Sequence, residues 1–265
     1  MTIGGIAIAF FVLVASMVLE HGKPQAILNP SALLLVFGAT IAATIAGGLR
    51  ADARRLPRAI GKALVTRRVL DATTFAEHLL GLARDARTGG LNVFERELPE
   101  AQNDAFIRTG VELIATTSDP ERVRGVLEAE ILGMRERHRV CYRAFQDMAG
   151  YAPTIGILGT VIGLVHVLGS LSTPTTLGPE IATAFTATLW GVLSANLIWL
   201  PIASKLRRLS EEEVSYRELV IEGLLAVQEG LSGPQLRDRL EPFLPPAERS
   251  FDADTQPQLG QENAA

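Results

Sequence analysis

Two long stretches of this chain, Met148 to Leu171 and Ile181 to Ser204, contain no Asp, Glu, Lys or Arg. A run of that length without charge crosses a hydrocarbon core of about 30 Å. The chain has 1 cysteine, Cys141, which excludes an internal disulfide and a cysteine-rich metal site. His21, His78, His138 and His166 are scattered, with no metal-ligand spacing. No glycine-rich phosphate loop and no nucleophile elbow occurs. These absences argue against an enzyme, a resident cofactor, and nucleotide or nucleic-acid binding.

Of the 265 residues, 48% are hydrophobic and 20% charged, a mixture that fits a membrane protein with sizeable soluble parts. Ile3 to Leu19 is apolar but lacks the basic start and small-residue cleavage site of a signal peptide. With Ala32 to Leu49 it completes a set of four expected membrane helices. The fold class is therefore an all-α membrane protein, its third and fourth helices extending into a large helical cytoplasmic part.

The expected organisation is an N-terminal membrane hairpin over 1–50 (helices about 3–19 and 32–49) and a cytoplasmic helical domain over 51–147. A second membrane hairpin follows over 148–204 (helices about 148–171 and 181–204), then a helical extension over 205–245 and a disordered tail over 246–265. Arg50, Arg54, Arg55, Arg58 and Lys62 follow the second helix, Arg135, Arg137, Arg139 and Arg143 precede the third, and Lys205, Arg207 and Arg208 follow the fourth. The intervening loops hold only Lys23, so both termini are expected in the cytoplasm, with the protein in the inner membrane.

Within 51–147, Thr74-Phe75-Ala76-Glu77 reads as a capping box. Short helices are expected over Val93–Leu98 and Asp104–Thr116. Asp119-Pro120-Glu121 opens a helix with Val123, Leu127, Ile131 and Met134 on one face, running on into the third membrane helix.

The second hairpin is rich in small and hydroxylated residues. Gly156, Gly159 and Gly163 give the third helix a smooth face beside Thr160, and Ala184, Thr188, Gly191 and Ala195 share a face of the fourth. Such faces pack closely against a neighbouring helix, or bring hydroxyls to a conduit. Pro153 and Pro201 lie at matching depth and suggest a bend where membrane and cytoplasmic parts meet. His166 is the one ionisable side chain inside an expected span, toward its outer end. No carboxylate falls inside one, since Glu20 and Glu180 stand at the outer boundary. If ions pass, the relay carboxylate must come from another protein, whose helix the small-residue faces would receive.

Tyr151-Ala152-Pro153-Thr154-Ile155-Gly156-Ile157-Leu158-Gly159-Thr160-Val161-Ile162-Gly163-Leu164 resembles the signature of the MotA/TolQ/ExbB channel superfamily. Leu19-Glu20-His21-Gly22 and Leu28-Asn29-Pro30-Ser31-Ala32-Leu33-Leu34 are similar to the MotA family of flagellar stator subunits, as is Glu222-Gly223-Leu224-Leu225-Ala226-Val227-Gln228. The resemblance implies a homopentamer around a MotB-type partner, a single-helix, peptidoglycan-anchored subunit whose aspartate carries H+, or Na+. It also implies torque on the rotor protein FliG. Thr160 and Thr188 would line the ion path, Pro153 and Pro201 would couple conduction to torque, and Arg87 and Glu95 would touch the rotor. His21 departs from the family pattern, standing where a second glycine is usual. The alternatives are an ExbB/TolQ-like energiser of an envelope complex and a motor-like membrane scaffold in a non-flagellar system.

Overall fold

The computed structural model describes residues 2–21, 27–48, 56–64, 72–89, 104–169, 171–172, 174–231 and 233–244. The described elements are helical. They fall into two compact units, one of 1–67 with 136–210, the other of 68–135 with 211–265.

In the first unit, α1 spans Thr2–Leu19. It closes with His21 at φ 57, a left-handed turn that glycine adopts more readily. The second helix, α2, covers Pro30–Gly47. Asn29 caps it by accepting from Ser31 N at 3.0 Å and Ala32 N at 3.3 Å, and Pro30 sets its first turn. Its stretch Leu34–Gly38 is π-helical. A short helix, α3, covers Leu56–Leu64 and buries Ala59 and Ala63.

The long helix α6 spans Pro120–Gly169, and α7 spans Pro174–Ser194. A π-helical stretch, Ala195–Trp199, joins α7 to α8, Leu200–Gln228. The start of α7 differs from the sequence expectation, which took Ser172 to Glu180 as a loop. Pro174 occupies a first-turn position that suits proline, and Pro179 is accommodated inside the helix. Glu180 therefore belongs to the helix.

Among the described residues, three helices are long and apolar enough to cross a membrane, and the shorter apolar Gly4–Leu19 accompanies them. Only 22% of the apolar window of α6 is buried within the chain. Phe11, Leu34, Val165 and Phe185 stand more than half exposed, a surface that water would penalise and lipid accepts. The chain is a multi-pass membrane protein.

The second unit holds α4, Ala72–Gly89, and α5, Ala105–Thr116, with the first part of α6 and the last part of α8. Helix α4 begins before the expected Thr74 cap. Asp104 caps α5 by accepting from Phe106 N at 2.8 Å. Asp119 accepts from Glu121 N at 3.1 Å at the start of α6. Val123, Leu127 and Ile131 are buried in a core with Phe75, Phe106, Leu219 and Leu224. A final helix, α9, covers Pro234–Leu240. The expected helix over Val93–Leu98 and the tail over 246–265 lie outside the described residues.

An ion network crosses this core's edge. Glu222 accepts from Arg124 at 2.7 Å and from Arg239 at 2.9 Å, and Arg239 also reaches Glu229 at 2.6 Å. Burial pushes the Glu222 carboxyl up, but hydrogen bonds from Arg124 and Arg239, and their charges, outweigh it and hold it below the usual range. A depressed carboxyl lends stability above its ordinary range and loses it as pH falls through the folded value. Glu222→Gln is therefore expected to cost about 1–2 kcal/mol near neutrality. Thermal unfolding of the solubilised chain at several pH values should show that difference shrinking toward acid.

Candidate functional site

The α6–α7 seam is built from residues with little or no side chain. A Cβ on Gly191 would stand 2.7 Å from Ala152 O and 3.0 Å from Gly156 Cα. One on Gly159 would meet Ala187 Cβ at 2.7 Å and Leu35 Cδ2 at 2.8 Å, and one on Gly163 would meet Ala184 Cα at 3.0 Å. The helices run antiparallel, Gly156 level with Gly191 and Gly163 level with Ala184. Ala195 is buried in the adjoining core with Ala152 and Phe145.

Gly156, Gly159, Ala184, Gly191 and Ala195 are thus buried within the chain, and Gly163 is half-buried. Their missing side chains are what let the chain's own backbones approach at this seam.

Thr160 and Thr188 meet across the seam, their hydroxyls in direct contact. Thr188 Oγ1 donates to Gly156 O at 3.1 Å. Thr160 Oγ1 lies 3.3 Å from both Gly156 O and Ala184 O. Two half-buried hydroxyls share these carbonyls between otherwise apolar faces. That arrangement can hand a hydrogen bond from one oxygen to the next, or present oxygens to a cation.

Pro153 lies inside α6, where it denies the carbonyl of Ala149 its helix donor. Pro201 follows directly on the π-helical stretch Ala195–Trp199. The wider π turn makes room for a ring that would clash with the carbonyl of Leu197 in a regular helix. The prolines are therefore handled differently, one within regular helix and one behind a π turn.

Sequence reasoning missed an aromatic column beside the seam. Phe10, Trp190, Phe37, Trp199 and Phe145 follow one another at ring separations of 6.3, 5.9, 5.9 and 6.4 Å. Trp190 Nε1 donates to Ile27 O at 2.7 Å, and Asn29 Nδ2 donates to Thr183 Oγ1 at 3.1 Å, tying the first hairpin to α7. Aromatic residues at irregular intervals give no periodic signal, so only the packing brings these five together. His166 is exposed within the chain. Arg87 lies on α4 with its side chain outside the described set, and Glu95 lies outside the described residues.

The second unit carries a cleft of about 460 Å³, lined by Arg124, Glu128, Ile131, Arg135, Glu222 and Phe243 among others. Among the described residues no cluster of His, Cys, Asp and Glu could hold a metal ion.

Residues 99–219 match the model of the MotA/TolQ/ExbB proton channel family. Motility protein A of Bacillus subtilis (strain 168) is 32% identical over 245 residues, covering 92% of this chain and 90% of that protein. Motility protein A of Borreliella burgdorferi is 39% identical over 172 residues, covering 65% of this chain and 66% of that protein. A chain of the flagellar MotAB stator complex from Bacillus subtilis superposes with a TM-score of 0.87 at 32% identity, covering 93% of this chain and 97% of that one.

Proposed function

Because this chain belongs to the MotA/TolQ/ExbB proton channel family, among its motility protein A members, we propose that it works as the ring-forming subunit of a flagellar stator. The observation that carries this reading is the Thr160–Thr188 pair, held by glycine packing in a membrane hairpin whose two long apolar runs hold no acid. A conducting path of this kind needs a carboxylate relay. The partner is a MotB-type subunit, as the solved MotAB complex of the Bacillus relative suggests, and in this reading it is a single-helix chain anchored to peptidoglycan that supplies the membrane aspartate.

In this reading the chain forms a homopentamer around its partner and conducts H+, with Na+ as the alternative, past Thr160 and Thr188. The ring turns through Pro153 and Pro201 and pushes the rotor protein FliG through Arg87 and Glu95. Both termini face the cytoplasm, as the basic residues around the spans favour. One charge crossing yields about 2.3 kcal/mol per 100 mV, so each ion supports a small ring step and useful work needs many.

The test is ion influx into cells co-expressing the chain with the single-helix partner, against the partner's aspartate-to-asparagine variant and against Thr188→Val. Valine keeps the shape and loses the bond to Gly156 O, worth about 1 kcal/mol in stability, so the complex should still assemble. Influx should require the partner aspartate and fall by roughly tenfold or more in Thr188→Val, the size of one lost charge-assisted contact. Influx that persists without the partner aspartate rules the reading out.

A further inference from the structure

We propose that Glu180 is a binding site for the transported monovalent cation, a proton or a sodium ion, at the end of the α6–α7 seam away from Pro153 and Pro201. The inference rests on the stator reading above.

Glu180 is the seventh residue of α7, Pro174–Ser194, and so sits inside the helix. The seam register fixes its level. Gly163 stands against Ala184, so one turn further out Val167, which is buried, comes level with Glu180. Glu180 precedes Thr188 by eight residues, about 12 Å along the helix axis. The side chain is half-buried, and its Oε2 is enclosed with no hydrogen-bond donor among the described residues reaching it. A surface glutamate serving solubility would keep both oxygens in water. An enclosed carboxylate oxygen is costly unless a proton or a cation satisfies it.

The chain offers no fixed cation for that role nearby in sequence. No Lys or Arg occurs anywhere between Met148 and Ser204. The described titratable side chains of the helices at this end are His166 on α6 and Glu20 and His21 at the close of α1. On the next turn of α7, Thr183 is already engaged, accepting from Asn29 Nδ2. A carboxylate oxygen that no described donor reaches, on the helix that carries Thr188, suits a mobile cation. The ion would be held at Glu180 and then passed toward the Thr160–Thr188 pair and the partner's aspartate.

The test is ion flux through the complete complex, measured in proteoliposomes or cells for wild type, Glu180→Gln and Glu180→Asp. One arm varies external pH at fixed sodium, and the other varies external sodium at fixed pH, so the responsive arm identifies the ion. Glu180→Gln should raise the ion activity giving half-maximal flux by roughly tenfold, the effect of one lost charged contact. Maximal flux should stay near wild type, and Glu180→Asp should fall between. An unchanged half-maximal activity overturns the proposal. So does a loss of flux by the same factor at every ion activity, or a loss of assembled complex, because either marks a purely structural role. If the wild-type complex itself carries no ion, the stator reading fails, an outcome distinct from failure at Glu180 alone.

Discussion

Gly191→Val is expected to stop the channel hairpin from assembling. The atoms that its Cβ would meet, Ala152 O at 2.7 Å and Gly156 Cα at 3.0 Å, belong to backbone, which cannot swing aside as a side-chain tip can. Overpacking of cores costs about 1–3 kcal/mol where side chains can adjust, and this site falls at the upper end or beyond. Relief would require α6 and α7 to separate, which would also break the bond from Thr188 to Gly156 O and open the threonine pair. The yield of monodisperse solubilised complex and its thermal unfolding should both collapse. Gly125→Ala is the matching control, since nothing lies within 4 Å of its added Cβ, and it should behave as wild type or slightly better. A Gly191→Val complex as stable as wild type would show that the seam is looser than its geometry.

Pro201→Ala is expected to abolish swimming while leaving the complex assembled. Alanine restores an N–H at position 201, so the carbonyl of Leu197 gains a donor and the π turn over Ala195–Trp199 loses the ring that holds it open. The helix should then be as stable as before or more so, since proline inside a helix costs about 3 kcal/mol. Closing the π turn would rotate Trp199 away from Phe37, 5.9 Å distant, and Phe145, 6.4 Å distant, resetting the contact between α2 and the α7–α8 junction. Torque or swimming speed measured beside co-purification and unfolding temperature separates the two effects. Undiminished swimming would remove Pro201 from the coupling of conduction to torque.

These two glycine and proline positions also mark where sequence reading stops. By itself the sequence determined the class of molecule. Uncharged runs longer than a bilayer impose membrane helices, because no other open structure satisfies its own backbone in lipid. The face Val123, Leu127, Ile131 and Met134 was legible from helical spacing, and all four are buried. The helix starts near Asp104 and Asp119 were legible too, and in the structure each side chain caps its helix by accepting from a free N–H of the first turn. The likeness of the Tyr151–Leu164 segment to the channel family was local as well, and the family match rests on it in part.

Only the tertiary structure decided what the small residues do. A glycine stripe is equally suited to an outside helix or to a neighbour in the same chain, and the choice depends on how α6 and α7 stand against each other. The π turns were hidden because helical periodicity does not reveal them, even where one stands directly before Pro201. The shared carboxylate of Glu222 joins Arg124 and Arg239 from distant parts of the chain, and Glu180 moved from an expected loop to an enclosed position on α7. Periodicity reports which face of a helix is apolar, whereas the partner that each face meets is set by three-dimensional packing.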